Sequence, residues 1–150
     1  MDRMLRNSLV TGGGLLLAII ISVTAFALRP GKSVHRVLFF PDATSGVHRG
    51  ERREIPIQPD RESEIEYVIR ELILGPTVLQ LSRTLPRDTQ IESVIYRNDT
   101  LYLDFDPEIL FEAGTGAPEL DESFDIIRKI IEFNYPKVNE IRFFVGGSET

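Results

Sequence analysis

The sequence contains no cysteine. That absence excludes disulfide frameworks, zinc knuckles, thiol catalysis and any lipid carried on cysteine. Histidine is nearly as scarce, with two residues in 150. An imidazole or thiolate metal site therefore has almost no ligands to draw on, and no metal or cofactor is expected. No segment is dense in Lys or Arg, and the net charge is -6. Nucleic acid is not an expected partner, because phosphate binding needs clustered positive charge. Hydrophobic residues make up 42% and charged residues 27%, which excludes both wholesale disorder and a polytopic membrane protein. The length suits one domain rather than two.

What the sequence does contain is one strong asymmetry. Ser8 to Leu28 carries no charge, and Leu15 to Leu28 is almost wholly apolar. As a helix, residues 8–28 would span roughly 31 Å, against about 30 Å of bilayer hydrocarbon. Such a segment reads as a single transmembrane anchor. Its rival is a cleaved signal peptide: Gly12, Gly13 and Gly14 weaken the first half, and Ala25-Phe26-Ala27 offers a small-x-small cleavage pattern, giving a secreted chain cut after Ala27. The anchor is the favoured reading. Arg3 and Arg6 on one side and Arg29, Lys32 and Arg36 on the other do not decide orientation. An export signal is the commoner role for one N-terminal segment, so the expectation is a single-pass membrane protein with its C-terminal domain outside the cytoplasm.

The domain layout follows: a flank at 1–7, the membrane segment at 8–28, a linker at 29–35, one domain at 36–147 and a tail at 148–150. Val37 to Phe40 is a continuous apolar run ended by Pro41-Asp42, the pattern of a central strand. Arg52 to Gln58 alternates around Pro56, which restricts it to a sheet edge. In Glu62 to Leu74, residues Ile65, Val68, Ile69, Leu72 and Ile73 share one face of a 3.6-residue period. Asp60 reads as its N-cap, with Glu62, Glu64 and Glu66 near the positive end of the dipole, and Gly75-Pro76 as its stop. Ile91 to Tyr96 and Leu101 to Phe105 form a hairpin across Arg97 to Thr100. Asp121 to Phe133 is a second helix, and Ile141 to Val145 the last strand, closed by Gly146-Gly147. The predicted class is α+β: a small mixed sheet of three to five strands with two helices on one face, in the split order β-α-β-β-α-β, preceded by the N-terminal transmembrane helix.

These residues resemble the GerMN domain of sporulation and spore-germination proteins. The matching stretches are Val37-Leu38-Phe39-Phe40 with Pro41-Asp42, Arg52-Arg53-Glu54-Ile55, Leu72-Ile73-Leu74-Gly75-Pro76, Leu85-Pro86 with Thr89, Ile91-Glu92-Ser93-Val94, Leu101-Tyr102-Leu103-Asp104-Phe105 and Ile141-Arg142-Phe143-Phe144-Val145-Gly146-Gly147. The most specific is the helix ending in leucine-x-leucine-glycine-proline, with a leucine-proline following. Two features depart from the family: the hairpin turn Asn98-Asp99-Thr100 lacks glycine, and no lipobox cysteine is present. The resemblance implies a non-catalytic extracytoplasmic module, similar to ring-building motifs, that acts in envelope assembly. It carries no catalytic residues with it.

Candidate chemistry is sparse. Asp104 and Asp106 could aim two carboxylates at one hard cation, but calcium takes about 6–8 oxygens and only two stand together; a strand residue and a turn residue explain them. His35 and His48 have no serine and carboxylate to work with. Arg49 to Glu54 mixes both signs, as a solvated edge strand does. Asn98-Asp99-Thr100 matches a glycosylation sequon, and turn chemistry explains it equally. The informative feature is strand alternation. It puts Leu101, Leu103, Phe105, Ile141, Phe143 and Val145 toward the helices. That leaves Tyr96, Tyr102, Asp104, Arg142 and Phe144 on an open face as the candidate interface, unless residues 77–90 cover it. Aromatics mixed with single charges suit an envelope protein partner or self-association. The alternative is a binding domain for cell-wall glycan or a small ligand. No nucleophile, base and orienter can be assembled, so an enzyme is not expected.

Overall fold

The computed structural model describes residues 13–24, 31, 33–110 and 118–150. It divides into two units, Met1–Lys32 and Ser33–Thr150. In the first unit, helix α1 covers residues 13–24 with every described side chain exposed. Among the described residues, no helix is long and apolar enough to cross a membrane. Residues 8–12 and 25–28 of the expected span lie outside the described residues.

The second unit runs β1 (Ser33–Pro41), β2 (His48–Pro56), α2 (Arg61–Leu74), β3 (Ile91–Arg97), β4 (Thr100–Phe105), a 3-10 turn (Pro107–Leu110), α3 (Leu120–Asn134), β5 (Glu140–Val145) and β6 (Ser148–Glu149). The expected α+β class holds, but the strands divide into two sheets. Strand β1 is not central to the main sheet. It pairs antiparallel with β2 from Ser33↔Pro56 to Pro41↔His48, and the two form a sheet of their own. The reason is local. The turn at 42–47 is short, so closing the hairpin costs little loop entropy. Asp42 organises that turn by accepting from the Thr44 and Ser45 amides, each at 3.0 Å.

The other edge of β1 is covered side chain by side chain. The Val37 N–H donates to Asn134 Oδ1 at 2.9 Å, and Asn134 Nδ2 donates to the Val37 carbonyl at 2.7 Å. The Thr84 hydroxyl donates to the Phe39 carbonyl at 3.3 Å, and the Ser82 N–H to the Pro41 carbonyl at 2.8 Å. An edge satisfied this way offers no template to another strand. It also locates residues 77–90. They lie along β1, with Leu85 fully buried, and Thr84 accepts from the Ser123 hydroxyl of α3.

The main sheet has the order β3-β4-β5-β6, with β4 and β5 parallel and the other pairs antiparallel. Its inner face carries Leu101, Leu103, Phe105, Ile141, Phe143 and Val145, all buried. Phe124 of α3 stacks on Phe143 with centroids 4.3 Å apart and on Phe105 at 5.9 Å. One hydrophobic cluster joins this face to Leu38, Phe40 and Ile55 of the hairpin and to the predicted stripe of α2, Ile65 to Ile73. Asp60 caps α2 as expected, accepting from the Ser63 amide at 2.7 Å.

The leucine-glycine-proline end of α2 is where separate stretches of the sequence meet. Gly75 sits at φ 88°, and a Cβ there would stand 3.1 Å from the Arg83 guanidinium carbon. Only glycine takes that backbone without strain. Arg83 donates to the Ile73 and Leu74 carbonyls at 2.6 and 2.8 Å, and Arg53 to the Gly75 carbonyl at 2.7 Å. Arg53 also pairs with Glu51 at 2.6 Å and Glu71 at 2.9 Å. Glu51 and Arg53 are thus not the solvated edge charges their mixed run suggests. Their side chains are 10% and 14% exposed, and they fasten β2 to the helix end.

Candidate interface on the open sheet face

Three strands position the site. Cross-strand partners share a face, so the register sorts the side chains. One outer row is Ser93, Asp104 and Phe144; the next is Ile95, Tyr102 and Arg142; the third is Arg97, Thr100 and Glu140. Ser93, Ile95, Arg97, Tyr102, Asp104, Phe144 and Gly147 line a shallow concavity of about 390 Å³. Tyr102 and Phe144 are half-buried against each other, with centroids 6.3 Å apart and planes tilted by 37°. Ile95 is 50% exposed, a large apolar side chain standing in solvent beside them.

Charge is arranged around this apolar floor. Arg142 pairs with Glu140 at 2.8 Å and approaches Glu149 of β6 at 3.9 Å. Its guanidinium is held above the ordinary arginine value, first by the Glu140 hydrogen bond and then by the surrounding carboxylate charge. Asp104 Oδ1 accepts from the Gly147 N–H at 3.2 Å. That amide is presented by the two-residue turn Gly146-Gly147, where both residues have positive φ. A Cβ on Gly146 would meet Pro107 Cγ at 2.8 Å, so the turn closes only on glycine.

The structure thus brings Tyr102, Asp104, Arg142 and Phe144 together on one face. It does not bring Tyr96 there. Tyr96 pairs with Leu101, packs against the core and shares its one hydroxyl proton between Asp99 Oδ1 at 2.9 Å and the Lys137 carbonyl at 3.1 Å. The expected phase of β3 is inverted by a bulge between Ile91 and Ser93. One extra residue sends every later side chain to the opposite face. Ser93, Ile95 and Arg97 therefore occupy the open face instead. At the other end of β3 a two-residue Asn98-Asp99 turn, with positive φ at both residues, sets Tyr96 opposite Leu101. Residues 77–90 line no part of the concavity.

The remaining candidates are dispersed. Asp106 Oδ1 accepts from the Glu108 amide at 2.7 Å and starts the 3-10 turn, apart from the Asp104 contact. Among the described residues, no three His, Asp or Glu side chains gather as a metal site. His48 lies 3.6 Å from Glu122, and exposed His35 stands opposite Glu54. The glutamates at the start of α2 each have a structural partner. Glu62 accepts from the Tyr96 amide, Glu64 pairs with Arg36 at 2.6 Å and accepts from the Tyr135 hydroxyl, and Glu66 pairs with Arg70. Burial, and then the Glu64 charge, push the Tyr135 phenol far above its ordinary value.

A family model described as Germane, sporulation and spore germination, matches residues 37–150. No curated protein matches. The first GerMN domain of the sporulation protein GerM from Bacillus subtilis is similar at 20% identity, over 78% of this chain and 86% of that one, with a TM-score of 0.58. The tandem GerMN domains of the same protein are similar at 18% identity and a TM-score of 0.56, over 79% of this chain and 41% of theirs.

Proposed function

We propose that this chain, which belongs to the Germane family of sporulation and spore germination, is a non-catalytic assembly module of the cell envelope. In this reading the segment at 8–28 tethers it to the membrane and holds the folded domain outside the cytoplasm. The outer face of the β3-β4-β5 sheet is the contact surface. One observation carries the proposal: Ile95, Tyr102 and Phe144 form an apolar floor ringed by charge, on a face that no other described segment covers. Interface centres use aromatics in this setting, with polar groups at the rim. The family match supports a role in sporulation or germination, and the fold is similar to that of GerM, a sporulation protein.

The test is the double substitution Tyr102→Ala with Phe144→Ala in the intact chain, followed by crosslinking in cells. The expected outcome is near-parental thermal stability with loss of the crosslinked species. Truncating a central interface aromatic often costs at least about 2 kcal/mol of binding. A folded double variant that still crosslinks normally would remove this face from the proposal. A reporter fused after Thr150 tests the tether separately, and cytoplasmic activity would overturn it.

A further inference from the structure

The charges around the concavity are unequally satisfied, and that inequality names a partner chemistry. Arg142 is matched by Glu140 and Glu149, and Glu140 also accepts from the Thr100 hydroxyl at 3.4 Å. Asp104 is engaged by the Gly147 amide. Arg97 is different. It is exposed, it lines the concavity, and among the described residues no carboxylate lies within 4 Å of its guanidinium. Glu140 shares its row but stands two strands away, roughly 9–10 Å by strand spacing. Beside Arg97 lie Ile95 and, diagonally, Tyr102, both reachable from one short ligand segment.

We propose that Arg97 is the specificity-determining anchor of this face, and that its occupant is a partner polypeptide segment bearing a carboxylate next to an aromatic or aliphatic side chain. The carboxylate meets the guanidinium fork in bidentate fashion, and the apolar side chain lies on Ile95, Tyr102 and Phe144. Arginine is suited to this because its planar fork matches carboxylate geometry and its weak hydration lowers the cost of burying the pair. Arg97 stands in the last row of this face, at one end of the concavity, so the carboxylate also fixes the direction in which the segment lies. The assignment rests on the reading of this face as the contact surface.

Fluorescence polarisation of the full chain in detergent micelles tests it with three probes. These are a labelled Gly-Asp-Phe-Asp-Leu-Gly peptide, its Asn-for-Asp counterpart, and a labelled N-acetylglucosamine trimer. The acidic peptide is expected to bind about five- to tenfold tighter than the amide peptide, the scale of one charge-assisted contact at a partly wet site. Arg97→Ala removes that preference, Arg97→Lys keeps part of it, and raised salt narrows it. Circular dichroism establishes that both variants stay folded, as an exposed position permits. Equal binding of the two peptides, or a preference that survives Arg97→Ala, overturns the anchor while leaving the contact surface standing. Binding of the sugar trimer in place of either peptide, lost with Tyr102→Ala, overturns the polypeptide occupant. No binding by any probe also overturns it, and the crosslinking test of the face itself is then read independently.

Discussion

Asn134 makes a sharp prediction, because it does the work of a neighbouring strand. Its amide accepts from the Val37 N–H and donates to the Val37 carbonyl, and it also donates to the Ile130 carbonyl of its own helix at 2.8 Å. Asn134→Ala leaves both Val37 groups without their partner. A net hydrogen bond contributes about 1 kcal/mol, and a fully buried orphan group costs about 1–3 kcal/mol. Val37 and Asn134 are half-buried, so water takes up part of the loss. The expected cost is about 2 kcal/mol, out of a total stability of roughly 5–15 kcal/mol. In a domain of this size that lowers Tm by about 8 °C. Asn134→Asp should cost more than the alanine. It keeps the acceptor, loses the donor, and sets a carboxylate against two carbonyls at the negative end of α3. That carboxyl's folded value is raised, so the aspartate variant regains stability as pH falls through it. Urea unfolding followed by far-UV circular dichroism reads both variants, with an unchanged slope expected. An alanine variant within about 0.5 kcal/mol of the parent, or an aspartate variant that matches the parent, would refute the edge-closing role.

Other outcomes follow from the same structure. Gly75→Ala should lose about 1–3 kcal/mol, because φ 88° is strained for alanine and Arg83 blocks the Cβ; an unchanged melting curve would contradict that geometry. Leu72→Ala, at a fully buried position of α2, should cost about 2–5 kcal/mol in equilibrium unfolding, and parental stability would mean the helix is packed otherwise. Acid should destabilise the fold. Asp42 is held below the usual carboxylate value by the Ser45 and Thr44 amides and then Arg49. For Glu51, burial alone would raise the value, but the Thr77 hydroxyl and Arg53 outweigh it. A lowered folded value gives stability that is present above the unfolded value of about 4 and is lost as pH falls through the folded one. Tm should therefore drop below about pH 4, and a flat profile from pH 7 to 3 would remove these two groups from the account.

The sequence by itself determined the elements whose signals are local. The stripe of α2, its Asp60 cap and its Gly75 stop all depend on residues within one or two turns of one another. So do the alternation of β4 and β5 and the placement of Tyr102, Asp104, Arg142 and Phe144 on one face. What it could not settle were facts made by pairing. The apolar run of β1 reads as central whichever sheet it joins, and the short hairpin turn together with the cover from Asn134, Thr84 and Ser82 decided for a separate sheet. Glu51 and Arg53 look like surface charges until Gly75 and Glu71, far along the chain, come to meet them. The phase of β3 was reversed by a single bulge, which turned Tyr96 toward the core and brought Ile95 and Arg97 out. A bulge is a mismatch between two strands, so one strand's alternation does not reveal it, and Arg97 took its place on the open face only once β3 had been laid against β4.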